Sequence, residues 1–214
     1  MPVPEPNPVS SPSPEQVAIA RRHVRRFRRG VVRAGDEVFA CSFVIDGRDG
    51  ALVLPTPDAI FETEDLVLYV PNDGFHEMAL LVSAEPLESA FDEACDRHLA
   101  YHGRAEEIRW ARCRVDSAKW GGRVYEGAAL LGPNPIASIE PKLCKRVNED
   151  RERLAALTEL LTRVRPESPL CVGVDHLGMD VRTRVGVIRV EWPREIGGPD
   201  EAVPVIAALL GGAA

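Results

Sequence analysis

The sequence predicts an α+β protein: a barrel of short strands followed by a smaller unit with the order helix, three strands, helix. Short runs rich in β-branched and apolar residues recur between turns rich in Gly, Pro, Asn and Asp through the first part of the chain. The run Gly132-Pro133-Asn134-Pro135 then breaks the pattern. Beyond it a helical periodicity is followed by three closely spaced strand-like segments; antiparallel hairpins need only short turns, whereas parallel strands would need long crossovers. The division expected is an extended, disordered arm over 1–13, a barrel domain over 14–135 and a C-terminal α+β module over 136–214.

The arm is expected from repeated Pro and Ser, which disfavour regular structure. After it, Val17, Ala20, Val24 and Phe27 recur at helical spacing, with Ser13 as cap, Pro14 and Glu15 in the first turn and Gly30 as the stop. Arg21, Arg22, Arg25, Arg26, Arg28 and Arg29 crowd this segment, and the late arginines suit the negative end of a helix dipole. Charge runs usually form solvated faces, so the plain reading is an exposed basic helix; the alternatives are an anionic cofactor or phosphate site, and a nucleic acid or acidic partner. Val38 to Ile45 reads as a strand ending in the turn Asp46-Gly47-Arg48-Asp49-Gly50, and Ala51 to Leu54 as its return. Asp65 to Val70 and Met78 to Ser83 are further strands, 88–103 a helix, and Ile108 to Val115 and Arg123 to Leu130 two more strands. In the module, Leu143, Val147, Leu154, Leu157, Leu161 and Val164 mark one face of a single long helix stopped by Pro166. Leu170 to Val174, Met179 to Thr183 and Val187 to Trp192 follow as strands, and a helix near Asp200 to Leu210 closes the chain.

Composition excludes several classes. A hydrophobic fraction of 45% with 28% charged residues argues against global disorder, and no apolar run approaches the roughly 20 residues needed to span a bilayer. A net charge of −7 makes general nucleic-acid binding unlikely on electrostatic grounds, because duplex affinity comes mainly from Lys and Arg displacing counterions. The N-terminus has neither a basic start nor an apolar core, so no secretory signal is expected and the chain is read as cytoplasmic. Cys41, Cys95, Cys113, Cys144 and Cys171 are odd in number and hold no Cys-x-x-Cys pair, which favours reduced thiols. No phosphate loop, Gly-x-Gly-x-x-Gly or Gly-x-Ser-x-Gly sequence occurs.

Three histidines invite chemistry. His98 and His102 stand at i and i+4, which brings both imidazoles to one helix face, a spacing able to hold a metal or flank a haem. Asp92 and Cys95 lie on neighbouring turns, but Leu99 stands where a zinc-protease helix would carry glutamate, so no metal site is expected. His176 lies in the tight turn Asp175-His176-Leu177-Gly178, where the plain reading is an exposed turn residue and the functional one an axial ligand.

The segments Val147-Asn148-Glu149-Asp150-Arg151, Asp175-His176-Leu177-Gly178-Met179-Asp180 and Ile188-Arg189-Val190-Glu191-Trp192-Pro193 occur in the order found in one known module. Upstream, Arg97-His98-Leu99-Ala100-Tyr101-His102 and Trp120-Gly121-Gly122 extend the match. The chain thus resembles the haem-utilisation-like, pyridoxamine 5'-phosphate oxidase-related split-barrel family with its C-terminal module of the DUF2470 type. It departs from that pattern at Arg151, where the family has histidine. The resemblance implies an FMN-binding type of split β-barrel, a homodimer, and haem or FMN bound between subunits with oxidoreductase chemistry on the cofactor. It nominates Arg33 and Ser42 near an anionic group, and His98, His102 or His176 as the iron ligand. The Ser-x-Lys and His-Thr-x-Asn elements of flavin-binding members are missing from Val70 to Leu81, so the alternative is a scaffold that has lost its cofactor and acts as a binding or regulatory protein.

Overall fold

The computed structural model describes residues 11–72, 74, 77–87, 92–103 and 109–212. The first ten residues of the expected arm, the opening of the expected helix at 88–91, His76 and Ile108 lie outside them.

The chain enters through α1 (Pro14–Arg25), where the Ser13 hydroxyl accepts from the Gln16 amide and the Gln16 side chain accepts from the Ser13 amide, a reciprocal cap. The helix stops earlier than its arginine pattern suggests. Gly30 is not its cap but part of β1 (Arg29–Ala34), where an added Cβ would lie 2.4 Å from the Tyr69 carbonyl oxygen. Glycine is needed there for close strand approach.

β2 (Glu37–Ser42), β3 (Val44–Ile45), β4 (Leu52–Thr56), β5 (Leu66–Val70), β6 (Met78–Leu87), β7 (Arg109–Trp120) and β8 (Arg123–Glu126) complete an antiparallel sheet. Its order is β2-β1-β5-β6-β7-β4-β3, with β8 also on β7. The sheet curls into a half-barrel, and Val32, Leu52, Leu54, Leu68, Leu80, Ala111 and Cys113 fill its inner face. The expected single strand Val38 to Ile45 is broken at Phe43, whose amide turns to the Arg28 carbonyl while its ring is fully buried. The expected strand Arg123 to Leu130 ends at Glu126 and continues as a short helix, α3 (Gly127–Leu130). α2 (Glu93–His102), capped by Asp92, lies on the outer face of the sheet and joins Val44, Val53 and Trp110 to Val172 and Val187 of the second unit.

In that unit the expected long helix is two helices, α4 (Glu140–Asn148) and α5 (Arg151–Thr162). Asp150 accounts for the break: its carboxylate accepts from the Arg153 amide and starts a new helix, as a capping aspartate does. β9 (Leu170–Asp175), β10 (Gly178–Thr183) and β11 (Gly186–Glu191) form a separate antiparallel sheet of order β11-β10-β9, and α6 (Pro199–Gly211) packs beneath it. Leu143, Val147, Leu154, Leu157, Met179, Val190 and Trp192 make its core. The predicted class, a barrel-like antiparallel sheet followed by an α+β unit, is the one the protein adopts. Among the described residues no helix is long and apolar enough to cross a membrane.

Candidate functional site

The five residues nominated from sequence fall in three places. Ser42, His98 and His102 come together where α2 crosses the end of β2. His98 Nε2 lies 3.1 Å from Ser42 Oγ and 3.2 Å from the Ser42 carbonyl oxygen, and His102 Nε2 lies 3.2 Å from the Phe43 carbonyl oxygen. A carbonyl only accepts, so each ring carries its proton on Nε2. The rings are 4.6 Å apart, and Trp110 meets His98 edge-on. Burial, with the neighbouring His102 adding to it, brings His98 down to about 4 against the pull of the Ser42 carbonyl. Burial also lowers His102, opposed by its bond to Phe43. Both imidazoles are neutral at neutral pH and stitch α2 to the β2–β3 junction. His98 Nδ1 is enclosed without a hydrogen-bond partner.

Arg33 stands apart, exposed on β1 with its guanidinium over the Tyr69 ring. His176 is not the exposed turn residue expected: it is 5% accessible. The chain after β11 folds back over its turn, with the Trp192 amide donating to the Leu177 carbonyl, the Ile196 amide to the His176 carbonyl and the Trp192 indole to the Asp175 carbonyl. His176 Nε2 lies 3.8 Å from Glu195, and burial lowers its pKa.

The basic segment is a solvated face only in part: Arg26 and Arg29 are exposed, but Arg25 and Arg28 are buried. Arg22 and Arg26 bind Glu191, Arg25 reaches Asp175 at 3.4 Å, and Arg28 reaches Asp180 at 2.6 Å. Arg28 also donates to the carbonyls of Arg25 and Phe27. Arg189 bridges both aspartates from the facing strand, and Tyr101 donates to Asp180 at 2.8 Å. Arg97, beside Tyr101, forks onto Glu140, which in turn accepts from the Val174 amide at 2.9 Å. This cluster joins α1, α2, α4 and the small sheet across a buried seam. Burial raises Asp175, but Arg189, Arg25 and the turn amides outweigh it and hold the carboxyl well below the usual carboxylate range. Asp180 is lowered too, Arg28 and Arg189 outweighing burial, while burial and then Asp180 push the Tyr101 phenol well up. Gly173 admits Tyr101: a Cβ there would lie 1.8 Å from the phenol oxygen.

A cleft of about 410 Å³ lies elsewhere, on the outer face between β6, β7, the Asp49–Ala51 turn and α3. Ser83, Glu85, Arg112 and Arg114 line it with Asp49. Arg112 donates to Asp46 at 2.8 Å and to Asp49, and Arg48 forks onto Asp46 and Asp92. Burial raises Asp46, but the bonds from Arg48 and Arg112 outweigh it and bring the carboxyl down to about 2. Arg114 has 79% of its side chain exposed and pairs with Asp116, which also accepts from Ser83. Gly50 closes the rim at φ +85, where a Cβ would lie 2.6 Å from the Leu131 backbone. A second cavity of about 290 Å³ is lined by Arg48, Glu93, Arg97 and Glu140, and a third, of about 10 Å³, lies among Arg25, Arg28, Arg97 and Tyr101. None of the five nominated residues lines any of these three.

No model of a known protein family matches the sequence, and no curated protein matches it. Among solved structures the chain is similar to the protein Atu2129 of unknown function from Agrobacterium tumefaciens, at 16% identity over 96% of this chain and 99% of that one, with a TM-score of 0.73. It is also similar to a haem-binding protein from Mycobacterium smegmatis, at 20% identity over 96% and 99%, with a TM-score of 0.40. The likeness to the Agrobacterium protein shows the fold. A fold does not fix an activity, so the chemistry rests on the residues present.

Those residues divide by what they can hold. With Nε2 of His98 and His102 donating to the Ser42 and Phe43 carbonyls, the nitrogen left to ligate a haem iron is Nδ1, and that of His98 is enclosed in the protein. The 410 Å³ cleft falls within the roughly 300–1,000 Å³ typical of ligand pockets, and two guanidinium groups in its wall suit an anionic group. Arg112 and Arg114 had a sequence signal: Ala111, Cys113 and Val115 alternate with them, so the arginines face outward together on one strand. Asp180 and Arg189 had one too, as opposed residues of a hairpin.

Proposed function

We propose that this protein binds a small anionic cofactor of the FMN class in the outer-face cleft, on a split-barrel scaffold of the haem-utilisation and pyridoxamine phosphate oxidase-related kind. The observation that carries this reading is Arg114, exposed in the wall of the 410 Å³ cleft, with Arg112 beside it held by Asp46 and Asp49. Charge-assisted bonds from arginine are the strong ones for a phosphate, and Arg114 is open to solvent with only a neighbouring aspartate to leave. A bound flavin would supply the hydride and electron transfer of an oxidoreductase, and the protein would supply position and charge.

The second copy of the chain belongs to this reading. Val38 and Leu81 are 53% and 45% exposed on the same outer face, with Val31, Val67, Tyr69 and Ala79 half-buried between them. Leu81 stands two residues from Ser83 of the cleft, so a homodimer formed through this face would wall the cleft and bring Arg33 and Ser42 to the partner. Haem is the second reading, with His98, His102 or His176 as its axial group; Nδ1 of His98 and of His176 has no hydrogen-bond partner to give up but is enclosed, so the surroundings would have to open to admit the iron. The remaining reading is a scaffold that acts through partners, favoured by the carboxylates Asp49 and Glu85 that share the cleft wall with the arginines.

Titration with FMN, and separately with haem, followed by visible absorption, tests the proposal. Saturation by FMN at one equivalent per chain is expected. Saturation by haem alone, lost in His98→Ala or His102→Ala, would replace the cleft with the histidine pair as the site. Saturation by neither compound would leave the partner-binding scaffold.

A further inference from the structure

α4 presents one residue per turn to β9: Glu140, Cys144 and Asn148, at i, i+4 and i+8. The outer two are anchors. Glu140 accepts from the Val174 amide at 2.9 Å, and the Asn148 side chain holds the Cys171 backbone from both sides, donating to its carbonyl and accepting from its amide, each at 2.8 Å. Between these anchors Cys144 Sγ and Cys171 Sγ face each other at 3.9 Å. Cys171 is buried, whereas Cys144 is only half-buried.

We propose that Cys144 and Cys171 form a modification site for two-electron oxidants of the hydroperoxide class, which convert the pair into an intramolecular disulfide that a thiol reductant reopens. The Cys144 thiolate attacks one peroxide oxygen, the O–O bond breaks, and the leaving hydroxide takes a proton to become water. The product is a sulfenic acid on Cys144. Cys171 sulfur then attacks the Cys144 sulfur, the S–O bond breaks, and the departing hydroxide takes the Cys171 proton as a second water. Two thiols are oxidised by two electrons, and one hydrogen peroxide is reduced to two waters, or an organic hydroperoxide to its alcohol and one water. The order of attack follows from the surroundings: the hydrogen bond to Cys144, and then burial, push the Cys171 thiol well up, so the half-buried Cys144 meets the oxidant first.

Closing the pair draws the sulfurs from 3.9 Å to about 2.05 Å, across a seam whose two flanking bonds already set the register. The link ties α4 to β9 and closes a loop over residues 145–170, which contains α5. Glu140 on the same helix holds Arg97 beside the buried charge cluster, so the oxidised protein has the helix supporting that cluster pinned in place.

The test treats the native full-length protein with hydrogen peroxide, alkylates it in denaturant and maps its peptides by mass. The expected result is the loss of two of the five thiols, one peptide pair joined through positions 144 and 171, reversal by dithiothreitol and a raised Tm. Cys144→Ser should neither form the link nor show the rise in Tm, while Cys113→Ser should still form it. Retention of all thiols, a sulfinic acid on Cys144 with no joined peptide, or a link only between chains would each overturn the proposal.

Discussion

Two groups of arginines sit in this protein, and they have opposite fates. In the seam between the two sheets, Arg25, Arg28 and Arg189 are almost wholly enclosed, and Asp175 and Asp180 answer them with the Tyr101 hydroxyl alongside. On the outer face of β7, Arg112 is half-buried and held by Asp46 and Asp49, and Arg114 beside it is open at the cleft. The side chains are the same; the difference lies in water and in carboxylates. Charges taken from water must be paired and hydrogen-bonded, or the desolvation cost dominates, so the seam arginines have little freedom to take a ligand. An exposed ion pair is worth little to stability, so Arg114 can exchange Asp116 for an incoming anion.

The largest effect should come from breaking the seam. Asp180→Ala removes the acceptor of Arg28, Arg189 and Tyr101 and strands buried charge, so urea unfolding should show a loss of about 3–5 kcal/mol. A loss like that of a surface substitution would mean that the seam is hydrated in solution.

Acid attacks the same contrast. Asp46, Asp175 and Asp180 hold their protons more weakly when folded, so below their ordinary range the unfolded chain binds more protons; the stability they contribute is present above about pH 5 and falls as pH drops towards the folded values. His98 acts over a higher window. Its folded value of about 4 lies below its ordinary 6.5, so the unfolded chain alone takes the proton between them, and stability falls as pH drops from 6.5 towards 4. Urea midpoints measured across pH should show a shallower slope in that window for His98→Asn than for the wild type.

Arg114→Ala should do the reverse of Asp180→Ala: unfolding shifts by less than about 1 kcal/mol, while FMN affinity drops by roughly tenfold or more. The smallest effect lies far from both regions. Ser13→Ala deletes one half of the reciprocal cap on α1 and should cost about 1 kcal/mol in the same unfolding experiment.

Much of this contrast was legible in the sequence, though not which arginines belonged to which side. Runs of strand-forming residues between turns revealed β5, β6, the first part of β7 and the three strands of the second unit, whereas Arg112 and Arg114 went unread although they alternate with Ala111, Cys113 and Val115. The spacing of His98 and His102 correctly put both rings on one side of α2, but not the use of their nitrogens, which depends on Ser42 and Phe43 far away in sequence. β1 was hidden because its arginines continue the rhythm of α1, and only the close approach of β5 at Gly30 explains why the helix ends before it. The burial of His176 and of Arg25 and Arg28 is tertiary: it follows from the fold-back of Trp192 to Ile196 and from the docking of α1 on Asp175, Asp180 and Glu191. Local periodicity contains no trace of either event.

The measurement that bears most directly on the division between structural and available arginines is the FMN dissociation constant of the wild type and of Arg114→Ala, taken from the quenching of flavin fluorescence under one set of conditions. The account predicts saturable binding by the wild type and roughly tenfold or greater weakening in the folded variant. Equal affinity in the two proteins, or no saturable binding by the wild type, would contradict it.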